Sequence, residues 1–129
     1  MATHDFEPSA FHVTMGSHEP VLRIASGDTV RTWCVDSSGY DSNGNDLTEG
    51  GNPQTGPFFV EGAQPGDTLA VRLDRIEPNR VRGVTGQVVA LNVVDPWLAA
   101  ALPECHGPDC WTLDLDRQTA RMDDPPPGL

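Results

Sequence analysis

Alternating apolar and polar positions mark much of the chain as strand-forming. Val21-Leu22-Arg23-Ile24-Ala25 is extended in character. After Ser26-Gly27-Asp28, the run Thr29-Val30-Arg31-Thr32-Trp33-Cys34-Val35 is dominated by β-branched and aromatic residues, so the pattern predicts strand, tight turn, strand. The same device returns as Phe58-Phe59-Val60-Glu61-Gly62, then Pro65-Gly66-Asp67, then Thr68 to Ile76 with apolar residues at 69, 71, 73 and 76. That period-two spacing predicts a strand with one buried face. Hairpins are expected to turn at Gly27-Asp28 and Gly66-Asp67, where Gly supplies a permissive backbone and Asp a turn-stabilising acceptor. Val30, Val60, Leu69, Val71 and Leu73 are the expected core positions.

Further along, Gln87 to Val94 reads as a strand and Cys110 to Asp116 as another, the latter alternating cleanly. Between them Asp95-Pro96-Trp97-Leu98-Ala99-Ala100-Ala101-Leu102 predicts one short helix, with Asp at the N-cap, Pro in the first turn and Pro103 as the stop. Residues 36–57 form a long polar stretch with almost no apolar content, and loops of that length inside a compact domain are generally functional or disordered. The expected fold is mainly β, β-sandwich-like, with hairpins and one short helix. It forms a single β-rich domain over residues 1–124, and the Pro-rich stretch 125–129 reads as a linker or a truncated end.

Composition narrows the function classes. A chain of 129 residues has room for one domain, and its 13 Gly and 12 Pro favour a turn-dense, strand-rich build over a helical bundle. Acidic residues outnumber basic ones 19 to 8, for a net charge of −11, which repels nucleic-acid phosphates and anionic membranes. All the basic residues are Arg, so no Lys can serve as a Schiff-base nucleophile or an ammonium phosphate clamp. With no long apolar run and no signal-like amino terminus, the reading is a cytoplasmic protein without nucleic-acid or membrane partners.

Several clusters could carry chemistry. Asp36 stands where an apolar strand runs out into the polar loop, either facing a cleft or capping the turn through Ser37 and Ser38. Cys105-His106-Gly107-Pro108-Asp109-Cys110 offers two thiols and an imidazole, read as unpaired thiols before a small-loop disulfide or a metal site, since the spacing fits zinc knuckles poorly. His12 and His18 are separated by Gly16, which argues against a shared metal. Asp41, Asn43, Asn45, Asp46 and Glu49 around Gly44 form an oxygen-rich loop suited to calcium, without the EF-hand order. Walker, dinucleotide-binding, nucleophile-elbow and zincin motifs are absent from the sequence.

The string from Asn52-Pro53-Gln54-Thr55-Gly56-Pro57 through Val60-Glu61-Gly62-Ala63-Gln64-Pro65-Gly66-Asp67 to Val71 resembles the acetamidase/formamidase family, in which N-P-x-T-G-P leads into V-x-G-A-x-P-G-D and an alternating strand. Upstream, Pro20-Val21-Leu22, Ser26-Gly27-Asp28-Thr29-Val30 and Asp36 are similar to that family's opening segments, and His12 falls near its early histidine. The resemblance implies the amino-terminal part of an amidase that hydrolyses small linear amides to carboxylate and ammonia. It also implies a homo-oligomer, completed by the remainder of the enzyme or a partner subunit. Amide hydrolysis without an evident nucleophile points to water activated by a divalent metal, zinc before calcium. On that reading Asp36 and Glu61 are catalytic candidates, Asp36 and His12 metal-ligand candidates, and Asn52 a substrate-binding candidate. The rival expectation is a non-catalytic β-sandwich binding or assembly module.

Overall fold

The structure is a computed structural model that describes residues 1–86, 94–99, 101 and 108–125. It is mainly β with one short helix, and it falls into two compact units, 1–79 and 80–129. The first unit contains β1 (Thr3–Asp5), β2 (Phe11–His12), β3 (Leu22–Ile24), β4 (Thr29–Arg31), β5 (Gln54–Thr55) and β6 (Phe58–Val60). They form three two-stranded ladders: β1 with β4 and β3 with β6 in parallel, β2 with β5 antiparallel.

The two Gly-Asp turns form as expected, with matching bonds. The Asp28 N–H donates to the Ala25 carbonyl at 3.1 Å while Asp28 Oδ2 accepts the Ala25 N–H at 3.1 Å. In the second turn the Asp67 N–H donates to the Gln64 carbonyl at 3.0 Å and Asp67 Oδ2 accepts the Gln64 N–H at 2.8 Å. Gly27 and Gly66 sit at φ 88° and 99°, the left-handed conformation that the third position of such a turn requires.

The expected hairpins do not form around these turns. The first turn passes the chain from the β3–β6 ladder to the β1–β4 ladder, so its flanking strands have different partners. The second turn leads into residues 68–79, which join no ladder among the described residues. Val30 and Val60 are half-buried, whereas Leu69, Val71 and Leu73 are 60%, 79% and 71% exposed. The period-two spacing predicts a buried face, but alternation specifies only which side chains share a side. Burial also needs a surface opposite, and none of the described residues supplies one.

Burial in the first unit is modest. Val35 is the single buried hydrophobic side chain among the described residues, and it is still 7% exposed. Phe6 and Phe58 meet edge to face with centroids 5.4 Å apart, and Phe11 tilts toward Trp33 at 6.1 Å. Edge-to-face geometry sets the positive ring edge against the negative π face.

The second unit contains β7 (Arg82–Thr85), α1 (Pro96–Ala99), β8 (Asp109–Asp114) and β9 (Thr119–Met122), with β7-β8-β9 an antiparallel sheet. Thr112 on β8 ties its neighbours together: Arg82 Nη1 donates to its hydroxyl, which donates in turn to Asp123 at 2.7 Å. Arg82 Nη2 closes the triangle on Asp123 Oδ2 at 2.6 Å. Helix α1 lies within the expected 95–102 span, and β8 matches the expected 110–116 strand but ends at Asp114, where Asp114 Oδ1 accepts the Arg117 N–H; β9 is a strand the sequence pattern does not mark. Of the expected strand over 87–94, residues 87–93 lie outside the described residues and Val94 is in a bend; Cys105 and His106 also lie outside them, while Cys110 is a free, exposed thiol.

These burial differences predict unequal costs of truncation. Val35→Ala is expected to lower unfolding stability by about 1–2 kcal/mol through lost burial and the cavity left behind. Ile76→Ala, at a position 76% exposed, is expected to stay within about 0.5 kcal/mol. Urea unfolding of the two variants checks the contrast.

Candidate functional site

The polar loop is built from two consecutive copies of one hydrogen-bonded unit. Asp36-Ser37-Ser38-Gly39-Tyr40 and Asp41-Ser42-Asn43-Gly44-Asn45 both follow the pattern Asp-Ser-x-Gly-x. Asp36 Oδ1 accepts the N–H groups of Ser38 at 2.9 Å and Tyr40 at 3.0 Å. Asp41 Oδ1 accepts those of Asn43 and Asn45, each at 2.8 Å. In both copies the Asp N–H donates to the carbonyl four residues on, and the Gly N–H donates back to the Asp carbonyl. Gly39 and Gly44 adopt φ 95° and 83°, which costs Gly little and a residue with a Cβ more.

The rest of the loop docks on this frame. The Leu47 N–H donates to the Gly39 carbonyl, and Gly51 and Asn52 both donate to the Ser37 carbonyl, at 3.2 and 2.9 Å. Asn52 is left-handed at φ 65°, a conformation Asn tolerates better than most residues. The structure thus brings Asn52 beside the Asp36 turn through its backbone. The β2–β5 ladder sets His12 opposite Gln54, two residues beyond Asn52.

An open groove of about 400 Å³ is lined by Trp33, Asp41, Ser42, Asn43 and Asn79. Trp33 is fixed from two directions: its indole N–H donates to Glu7 at 2.7 Å, and its carbonyl accepts the Thr55 hydroxyl at 3.0 Å. Asn79 reaches back to the Cys34 carbonyl at 3.3 Å. Asp41 is held below the usual carboxylate range, first by the Asn45 side-chain amide and then by backbone N–H donors. At neutral pH it is an ionised acceptor. The groove therefore offers an aromatic ring, a hydroxyl, two primary amides and one committed carboxylate, a lining suited to a small neutral polar molecule.

The other predicted residues are occupied differently. The Glu61 carboxylate pairs with Arg23 at 3.2 Å on an exposed surface, where Arg23 also lies 4.0 Å over the Phe59 ring. His12 stacks face to face on His18, centroids 3.8 Å apart and planes 4° from parallel. Gly16, read as an interruption, instead marks the turn that brings the rings together, closed by the His18 N–H on the Gly16 carbonyl. Asp36 Oδ1 serves the turn, the alternative role the sequence left open. Among the described residues no three His, Cys, Asp or Glu side chains converge as a metal site.

Of the groove residues, the sequence marks Asp41 and Asn43 only as oxygen donors of a calcium-type loop, and it does not single out Trp33, Ser42 or Asn79. A signal for the loop was present in the tandem Asp-Ser-x-Gly-x pattern. Nothing in the spacing linked Asn79 to residues 33–43. Comparison with known proteins adds no relative: no family model, no curated protein and no solved structure matches the chain.

The two loop glycines predict different substitution costs. At Gly39 a Cβ would overlap the Thr48 carbonyl oxygen, whereas at Gly44 it would meet nothing within 4 Å. Gly44→Ala is expected to cost about 1 kcal/mol for backbone conformation alone. Gly39→Ala is expected to cost about 2–4 kcal/mol and to raise hydrogen exchange at Ser38 and Tyr40. Denaturant unfolding with exchange mass spectrometry measures both.

Proposed function

We propose that this chain is the substrate-holding, amino-terminal part of a cytoplasmic hydrolase of small linear amides of the formamide or acetamide type. The supporting observation is the bond from Thr55 to Trp33, which ties the N-P-Q-T-G-P segment, the most specific part of the family resemblance, to the wall of the polar groove. The parallel ladder that sets Leu22 opposite Phe58 and Ile24 opposite Val60 joins the two segments that carry that resemblance. A primary amide has a carbonyl acceptor and an N–H₂ donor pair, the same groups that Asn43 and Asn79 present, so reciprocal hydrogen bonds can hold it beside the Trp33 ring.

The chemistry of hydrolysis is assigned to groups beyond this groove. A divalent metal, zinc before calcium, would supply the activated water, and its ligand set would need donors in addition to Asp36 and His12. Asp36 then orients the site, Glu61 is the weaker carboxylate because Arg23 holds it, and Asn52 acts through the backbone bond that docks it on the Asp36 turn. The remaining donors come from the rest of the enzyme or a partner subunit. The second reading, a non-catalytic binding or assembly module, is favoured by the commitment of Asp36 and Asp41 to loop hydrogen bonds.

Titration of the chain with acetamide and formamide, followed by ¹H–¹⁵N NMR, tests the proposal. The Trp33 indole and the Asn43 and Asn79 side-chain amide signals are expected to shift together and to saturate in about the millimolar range, as fits so small a ligand. Shifts absent from these groups, or spread evenly over the chain, would contradict it and leave the module reading.

A further inference from the structure

We infer that Asp41 makes the groove a charge filter, which admits primary amides and isosteric amidinium cations and rejects the carboxylate that amide hydrolysis leaves. The inference rests on the amide reading of the groove and adds the residue that sets its selectivity. An amide and its carboxylate product share one planar shape. They differ in that an N–H₂ donor is replaced by a charged acceptor oxygen. The neutral lining separates them poorly, because the Ser42 hydroxyl and the Asn43 and Asn79 amides each donate as well as accept.

Asp41 separates them by charge and by hydrogen-bond direction. Of the described residues that line the groove it alone is charged, and no guanidinium among them offsets it. Its Oδ1 accepts the Asn43 and Asn45 N–H groups at 2.8 Å, and its Oδ2 accepts the Asn45 side-chain amide at 2.9 Å. A carboxylate oxygen has about two acceptor positions, so Oδ1 is filled and Oδ2 keeps one. The bonds that close the loop therefore also fix, at the groove wall, an oxygen that can only accept. An amide meets it with its N–H₂ group, and an amidinium with a charge-assisted bond. A carboxylate opposes it, acceptor to acceptor and charge to charge. The net charge of −11 repels anions in the same sense, but at longer range, where salt screens it.

Acetamidinium, acetamide and acetate test the inference on one skeleton, titrated at neutral pH in about 1 M NaCl, where the Debye length is about 3 Å. Shifts of the Trp33 indole and the Asn43 and Asn79 side-chain amides report binding. Affinity is expected to fall in that order, with acetate at least about tenfold weaker than acetamide. Asp41→Asn keeps an Oδ1 acceptor for the loop N–H groups and removes the charge. It should bring acetate to within about threefold of acetamide and abolish the acetamidinium advantage. Glu49→Gln makes the same change in net charge at an exposed position outside the groove, and the three affinities should keep their ratios. If amide exchange at Asn43 and Asn45 shows that Asp41→Asn opens the loop, the order of the ligands on the unaltered chain decides. Acetate binding as tightly as acetamide, acetamidinium binding no more tightly, or ratios that respond equally to Glu49→Gln would overturn the inference and leave the amide reading standing. No shift with acetamide would overturn both.

Discussion

Aspartate side chains that accept backbone N–H groups hold the amino-terminal unit in shape. Asp28, Asp36, Asp41 and Asp67 each close a turn through a carboxylate oxygen. Asp28 does more, because it also accepts the Ala2 N–H at 2.7 Å and pairs with the His4 ring at 3.0 Å. That one side chain fastens the start of β1 to the turn leading into β4. Its carboxyl is held far below the usual range, mainly by the His4 bond and then by the Ala2 and Ala25 N–H groups. With Val35 the single buried hydrophobic residue among those described, apolar burial contributes little there, and local charge-assisted hydrogen bonds carry a correspondingly larger share. The acidic composition is in part this scaffold, and only in part a solvated surface.

The same interaction prepares the candidate site. A polar loop of this length would ordinarily lose much conformational entropy on being ordered. Two tandem aspartate units each fix five residues, and the second places Ser42 and Asn43 on the groove wall. Thr55 and Glu7 fix Trp33 from outside the loop. The groove is thus shaped before a ligand arrives, which lowers the ordering cost of binding for a small molecule with few contacts to offer.

How much of this was legible follows from which signals are local. The Gly-Asp turns, the short helix after Asp95 and the alternating strand at 109–114 are specified by neighbouring residues, and the sequence reading places them. The pairing of strands is not local: β3 with β6 and β1 with β4 are parallel, and a turn between two apolar runs reads as a hairpin unless the distant partners are known. Leu69, Val71 and Leu73 show the limit of periodicity, which orders side chains by side without naming what covers them. In the site, Asp36 and Asn52 were legible as loop positions and do meet through Ser37. Asn79 depends on a contact with Cys34 across 45 positions, and no motif in the sequence marks it.

The dependence on ionised aspartates has a definite sign with pH. Groups whose carboxyls are depressed in the folded chain stabilise it fully above the ordinary aspartate range, and that contribution is lost as pH falls toward their folded values. The most direct measurement is a ¹³C NMR titration of the side-chain carboxyls of Asp28 and Asp41. Both are predicted to remain ionised after exposed carboxylates have protonated, with the Asp28 resonance moving last and the β1 amide signals broadening as it does. Titration of both carboxyls in the ordinary range near pH 4, with the fold intact below it, would contradict the account.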